Sequence, residues 1–317
     1  MTISFYDAAQ VEELLDYPGC IGAMRAAMAA LSSGERPQPL RQIFPVGDGQ
    51  MWGTMPGELA ALSIFGAKLV SVFDDPERPG CTRHQGVVVV YNGKTGAVRC
   101  IADAEPVTRI RTGCASAAAT DALARPDSDV LAVFGTGVQA EAHLRALPLV
   151  RTFREILLWG RSADKALAFA ERMSAEIGQA VTPMSDARET AERADVICTV
   201  TSSREPVIFA EWVKPGTHIN LVGSSYLGPV EVDNELVAKA RYVADYRPGA
   251  LAQGAELAAA RDAGLVDDSH VIGEIGDVFA GRIQARENDQ QITIYKSLGH
   301  VAQDLASVDY IHRRATI

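Results

Sequence analysis

The sequence predicts an α/β protein in which a doubly wound parallel sheet is joined to a smaller α+β region. Three observations predict it. Strands alternate with helices from Val130 onward, a glycine-marked turn follows the first of those strands, and the stretch before Arg111 is rich in short β runs. At 317 residues the chain is long for one core and comfortable for two domains.

Composition narrows the class. Hydrophobic residues make up 47% and charged residues 22%, a soluble globular balance, and no stretch approaches the ~20 apolar residues of a membrane span. The segment Met1 to Ala8 lacks the basic start, apolar middle and small-residue cleavage site of a secretory signal, so a cytoplasmic location is expected. Cys20, Cys81, Cys100, Cys114 and Cys198 are odd in number and without CxxC spacing, which fits buried reduced thiols. The histidines show no metal-ligand spacing, and Asp74, Asp75 and Glu77 read as a polar loop, so no metal is expected. A net charge of -10 with no run of Lys or Arg argues against nucleic acid as a partner.

Along the chain, apolar residues at helical spacing between Asp7 and Ser32 predict two helices broken at Pro18-Gly19. The runs Ser63 to Phe73 and Gly86 to Tyr91 predict antiparallel strands, with Asn92-Gly93 as a hairpin turn. After Arg111 an Ala-rich helix runs to the vicinity of Arg125-Pro126, because Pro disfavours helix in the residue before it. The first domain is expected to end within this region.

Val130 to Phe134 is a continuous apolar strand leading into Gly135-Thr136-Gly137-Val138-Gln139-Ala140 and then a helix. Glu155 to Trp159, Val196 to Val200 and His218 to Val222 read as further strands, with a helix from Asp164 to Ile177 between the first two. This order implies right-handed crossovers and a Rossmann-type sheet that binds nucleotides at its carboxyl edge. The segment from Asp289 to Ile317 reads as helical again.

In GTGVQA, Gly135 permits the tight turn, Gly137 admits a pyrophosphate to the backbone, and Ala140 stands where helix and strand pack closely. Amides at the helix start then hold the anion, through Thr136, Val138 and Gln139. An acidic residue ending the next strand would accept a ribose hydroxyl and signal NAD. The chain has Arg161 there, followed by Ser162 and Lys165, which suits a 2'-phosphate and favours NADP(H) over NAD(H). Thr112, Thr199, Gly223 and Ser224 complete the expected cofactor contacts.

The first domain places Arg41, Lys68 and Arg111 in apolar surroundings, and buried cations need anionic partners. At these residues the chain resembles the ornithine cyclodeaminase and mu-crystallin family. Met55-Pro56, the lysine of GAKLVSVF, His84-Gln85-Gly86 with VVVVYNGKTGAV, RTGCASAAAT, GTGVQA and SLGHVAQDLA carry the resemblance over nearly the whole chain. It implies a homodimer whose substrate-binding and dimerisation domain comprises residues 1–118 with 297–317, around a Rossmann domain of residues 119–296.

The resemblance also implies that Arg41, Lys68 and Arg111 hold a substrate α-carboxylate beside the nicotinamide, with Lys68 catalytic. Gln85 and Thr112 neighbour that site; turn chemistry and helix capping are their alternative roles. Ornithine cyclodeaminases carry an acid/base Asp in a loop after a late strand. Here the loop reads Gly223-Ser224-Ser225-Tyr226, so Ser225 stands in its place. A neutral hydroxyl suits a cyclic imine carboxylate better than an ammonium. The implied activity is reduction of pyrroline-2-carboxylate or piperideine-2-carboxylate to a cyclic L-amino acid, with Ser225 at the substrate. The rivals are ornithine cyclodeamination, an L-amino-acid dehydrogenase and a non-catalytic NADPH-binding protein.

Overall fold

Two sheets organise the chain, which forms two compact units: Met1–Arg111 with His300–Ile317, and Thr112–Gly299. The divisions fall at 111 and 300, where the resemblance implied 118 and 297. The structure is a computed structural model describing residues 3–34, 36–74 and 82–316. Cys81, Asp75 and Glu77 lie outside the described residues, as does the side chain of His84.

The first unit opens with β1 (Ser4–Tyr6), α1 (Ala8–Leu14) and α2 (Tyr17–Ser32). The two helices part at Leu15-Asp16 rather than at Pro18-Gly19. Asp16 caps α2 by accepting from the Gly19 N–H, and Pro18 sits in the first turn, where a missing N–H costs nothing. Four long strands follow: β2 (Gln42–Gly47), β3 (Gln50–Leu59), β4 (Ile64–Asp74) and β5 (Thr82–Asn92), with β6 (Val98–Asp103) closing the run. The sheet order is β1-β6-β5-β4-β3-β2, antiparallel except for the β1–β6 pair.

The hairpin after β5 is wider than the expected Asn-Gly pair. The Asn92 N–H donates to Ala97 O, its side chain accepts from the Lys94 and Thr95 N–H groups, and Gly96 takes the left-handed conformation at φ 71°. Asn92 thus caps the turn instead of filling it.

Helix α3 (Ala104–Leu123) begins well before the predicted start after Arg111. The Asp103 carboxylate accepts from the Glu105 N–H at 2.9 Å, and Pro106 fits the first turn. Arg111 and Thr112 therefore lie inside the helix, which removes helix capping as a role for Thr112.

The second unit runs β7 (Val130–Phe134), α4 (Val138–Ala146), β8 (Glu155–Trp159), α5 (Ala163–Ile177), β9 (Val181–Met184), α6 (Ala187–Arg193), β10 (Val196–Thr199) and β11 (His218–Leu221). Then come α7 (Asn234–Lys239), β12 (Arg241–Ala244), α8 (Arg247–Gln253), α9 (Ala255–Asp262), β13 (Val271–Glu274), α10 (Ile275–Phe279) and β14 (Thr293–Lys296). All eight strands are parallel, in the order β13-β12-β14-β11-β10-β7-β8-β9. This is a Rossmann sheet. Val130, Ala132 and Phe134 enter one core and Leu131 and Val133 the other, so β7 is apolar throughout because both its faces are covered.

The tail differs from the expected continuous helix. Thr293–Lys296 is a fully buried central strand, and only α11 (Val301–Ala315) is helical. Helix α11 belongs to the first unit, packs on α2 and across β3, β4 and β5, and is buried over most of its length. Gly57 and Gly66, paired in the β3–β4 register, permit that approach: a Cβ on Gly57 would meet Val301 and one on Gly66 would meet Leu305, both under 3.0 Å.

The described cysteines, Cys20, Cys100, Cys114 and Cys198, are buried free thiols. Among the described residues no helix is long and apolar enough to cross a membrane.

Candidate active site

In the first unit, β4 alternates so that Ile64, Gly66 and Lys68 are buried. With Gly57 and Gly66 leaving room for α11, Lys68 reaches that helix at Asp304. Its Nζ lies 3.3 Å from Oδ1 and 3.2 Å from Oδ2, and it also donates to Thr108 Oγ1 on α3 at 3.4 Å. One turn along α3 from Thr108, Arg111 donates through Nε to Asp304 Oδ1 at 3.1 Å and through Nη1 to Gln303 Oε1 at 2.6 Å. The Gln303 amide nitrogen contacts Met28 Sδ, which aims its oxygen at the arginine. Arg41, half-buried just before β2, is near enough for its charge to act on Lys68 and His300.

Charge does not balance within this cluster. Lys68, Arg111 and Asp304 are 4%, 4% and 0% exposed, so among the described residues these two buried cations share one carboxylate. Burial pulls Lys68 down to about 8, with Asp304 opposing and Arg111 and Arg41 reinforcing the shift. Burial alone would raise Asp304, but Arg111 and Lys68 hold its carboxyl below the usual range. His300 caps α11 by accepting the Ala302 N–H on Nδ1, which puts the proton of its neutral ring on Nε2. Burial lowers it to about 4, so it adds no positive charge near neutrality. An excess of buried positive charge is a place for an anion.

In the second unit the phosphate turn has the expected shape. Gly135 sits at φ 129° with its Cβ direction blocked by Val200 O at 2.8 Å, so only glycine fits. Gly137 caps α4, and a Cβ there would meet no protein atom within 4 Å. No side chain caps α4, which leaves the amides of its first turn, at Val138 and Gln139, for an anion. Ala140 is fully buried against the sheet, and Thr136 packs at Gly160 beyond β8.

Arg161 is exposed just past β8 and makes no hydrogen bond or ion pair among the described residues. Ser162 caps α5 by accepting from the Lys165 N–H at 3.4 Å. These residues fit a dinucleotide, and the Arg161 guanidinium stands exposed at the end of the neighbouring strand.

Other predicted residues sit differently. Gln85 is exposed on β5, and no described hydrogen bond joins its side chain to the cation cluster. Thr199 ends β10, fully buried, and its carbonyl accepts from the Val222 and Gly223 N–H groups. Ser225 is half-buried, but Ser224 is 1% exposed and its hydroxyl donates to Glu256 at 2.6 Å while accepting from Lys296. The Ser224 hydroxyl is therefore engaged within the protein. Sequence reasoning missed Asp304, Gln303 and Thr108. A signal for Asp304 existed, since Gln303-Asp304 interrupts the apolar face of Val301, Ala302 and Leu305, and the buried cations required a carboxylate.

Known proteins agree with this architecture. The family model described as the ornithine cyclodeaminase/mu-crystallin family matches residues 2–316. The chain is similar to the ketimine reductase mu-crystallin of Mus musculus, 32% identical over 314 residues, covering 98% of this chain and 96% of that protein. Among solved structures it is similar to the Thermococcus litoralis Δ1-pyrroline-2-carboxylate reductase in complex with NADH and L-proline. The TM-score is 0.93 at 30% identity, over 99% of this chain and 98% of the other. An archaeal alanine dehydrogenase dimer with bound NAD matches with TM-score 0.91 at 29% identity, over 100% and 97%. With its Rossmann sheet, its buried cation cluster and a match over nearly its whole length, the chain belongs to the ornithine cyclodeaminase/mu-crystallin family.

Proposed function

We propose that the protein is an NADPH-dependent reductase of cyclic imine carboxylates, pyrroline-2-carboxylate or piperideine-2-carboxylate, yielding cyclic L-amino acids. The observation that carries this reading is the buried excess of positive charge formed by Lys68 and Arg111 around Asp304. Arg41, Lys68 and Arg111 bind the carboxylate. Fixing that planar group fixes the adjacent C=N carbon, and such positioning supplies much of a rate enhancement.

The cofactor, when bound, supplies a hydride to that carbon. The substrate enters protonated at nitrogen, so hydride addition gives a neutral secondary amine. Little acid catalysis is then needed beyond keeping the imine protonated, and Lys68 or a bound water supplies any proton required. Ser225 offers a neutral hydroxyl where a cyclodeaminase has a carboxylate.

NADPH oxidation with each imine tests the reading. Turnover of either supports it; turnover of neither, with ammonia released from ornithine, makes the protein a cyclodeaminase instead. In the same assay NADPH is expected to outperform NADH. Arg161→Ala should weaken NADPH by about tenfold or more, the worth of a charge-assisted hydrogen bond, and leave NADH nearly unchanged.

The carboxylate site also predicts a pH dependence. A bound anion favours protonated Lys68, so affinity for a non-titrating carboxylate such as pyrrole-2-carboxylate should be level below about 8 and weaken as pH rises through it. Calorimetric titration across that range checks it, and Lys68→Met should flatten the profile.

The reading includes a homodimer, supported by the edge strand β2. Ile43, Phe44 and Val46 are 47%, 45% and 55% exposed, and Phe44 stacks on exposed Trp52 of β3. A solvent-facing apolar edge of this kind is a pairing surface. NADPH and its substrate are otherwise small-molecule partners only.

A further inference from the structure

The loop that follows β11 rests on a charge cluster with no part in the chemistry above. Lys296 ends β14 and is fully buried. An ammonium has three protons, and three acceptors meet them: Ser224 O at 2.7 Å, Ser224 Oγ at 2.8 Å and Glu256 Oε2 at 2.8 Å. Glu256, on α9 and also fully buried, accepts on Oε1 from the Ser224 hydroxyl and from the Glu231 N–H. Glu231 in turn accepts the Thr201 N–H and hydroxyl on Oε1, at 2.6 and 2.8 Å, and the Gly223 N–H on Oε2 at 2.7 Å.

Such a buried pair is weak evidence for stability, because apolar side chains of equal volume often serve as well or better. What apolar side chains cannot do is hold main-chain atoms. Gly223 N, Ser224 O and Thr201 N are main chain, and all three are gripped by charged groups. They belong to the loops leaving the carboxyl ends of β10 and β11, adjacent parallel strands at the edge where a doubly wound sheet binds its ligand. The β10 loop also carries Val200 O, the atom that lies against Gly135 of the phosphate turn. Ser225 follows directly on the two gripped residues.

We propose that Lys296, Glu256 and Glu231 are positioning residues: they form a buried bracket that fixes the loop of Gly223, Ser224 and Ser225 for the reaction. The activity part of this inference rests on the imine reductase reading, whereas the loop part does not. The natural test replaces the ion pair by apolar residues of similar length, Lys296→Met with Glu256→Met, so that neither partner of the pair is left buried without the other.

The expected protein is folded and melts no lower than the parent by more than a few degrees. Hydrogen exchange in the peptide containing Gly223 to Tyr226 should quicken by about 100-fold. Turnover of the imine should fall by about 100-fold, as a small misplacement allows, a far larger change than in the NADPH dissociation constant, whose main contacts are expected at 135–140 and Arg161. A merely structural pair would not split catalysis from cofactor binding in this way. A folded double variant with parental loop exchange overturns the inference, and so does one with accelerated exchange but parental turnover.

If the double variant does not fold, Glu231→Gln decides. Its amide nitrogen would present a donor to an existing N–H donor, and the same exchange and turnover changes are expected. If the parent reduces neither imine, the reductase reading fails, and loop exchange alone upholds or overturns the bracket.

Discussion

Lys68→Met is expected to cost about two to three orders of magnitude in kcat/KM for the imine, because losing one of the charged groups that hold a buried carboxylate is worth about 2–5 kcal/mol. The same substitution should leave the fold intact. With Lys68 gone, Arg111 and Asp304 remain as a one-to-one pair. Lysine and methionine are close in length, so the cavity is filled.

The sign of the stability change follows from the lysine itself. Its folded pKa, near 8, lies below the ordinary value of 10.5, so folding penalises the charged form. That penalty is full below about pH 8 and fades as pH rises toward the unfolded value. At neutral pH the variant should therefore melt at or above the parent temperature while turning over poorly. A melting curve beside a substrate titration checks both halves. Loss of activity that merely tracks loss of fold would remove Lys68 from the site.

Asp304→Asn should do the reverse. The amide has nearly the shape of the carboxylate, so the loss is one of charge: Lys68 and Arg111 are left in the interior without a counter-ion. Removing one partner of a buried pair costs about 3–5 kcal/mol, a large share of a typical domain's stability. Urea unfolding should show it as a lowered midpoint. The contrast between the two variants separates the group that serves the ligand from the group that serves the fold.

What could be read from the sequence follows how local the causes are. Val130–Phe134 and Glu155–Trp159 are strands at their predicted bounds, because a strand covered on both faces is apolar at every position and needs no partner to be recognised. The phosphate turn was legible for the same reason, since its glycines answer to backbone shape and open space within a few residues. Lys68 and Arg111 were visible as cations in apolar company. Their carboxylate was not singled out, because Asp304 lies 193 residues from Arg111 and nothing local marks it as their partner.

The strand Thr293–Lys296 was misread for a related reason. A lysine ending a central strand is tolerable only because Glu256 neutralises it, from a helix that adjoins it in space and not in sequence. The engagement of the Ser224 hydroxyl by Glu256 and Lys296 was out of reach of the sequence for the same reason. The start of α3 was missed although local, because Asp103 and Pro106 signal a helix start that the Ala-rich stretch further on drew attention from.

The divided first unit has a consequence for how the protein is made. Its sheet and α2 leave the ribosome well before the helix that covers β3, β4 and β5. At ordinary elongation rates the 193 residues between Arg111 and Asp304 take roughly 10 to 40 s. During that interval the Rossmann unit can complete itself while the older half waits, its apolar face bare and its two cations without their counter-ion. Until α11 is made, the nascent chain is thus most exposed to chaperones and proteases through the part of this unit that precedes the Rossmann unit.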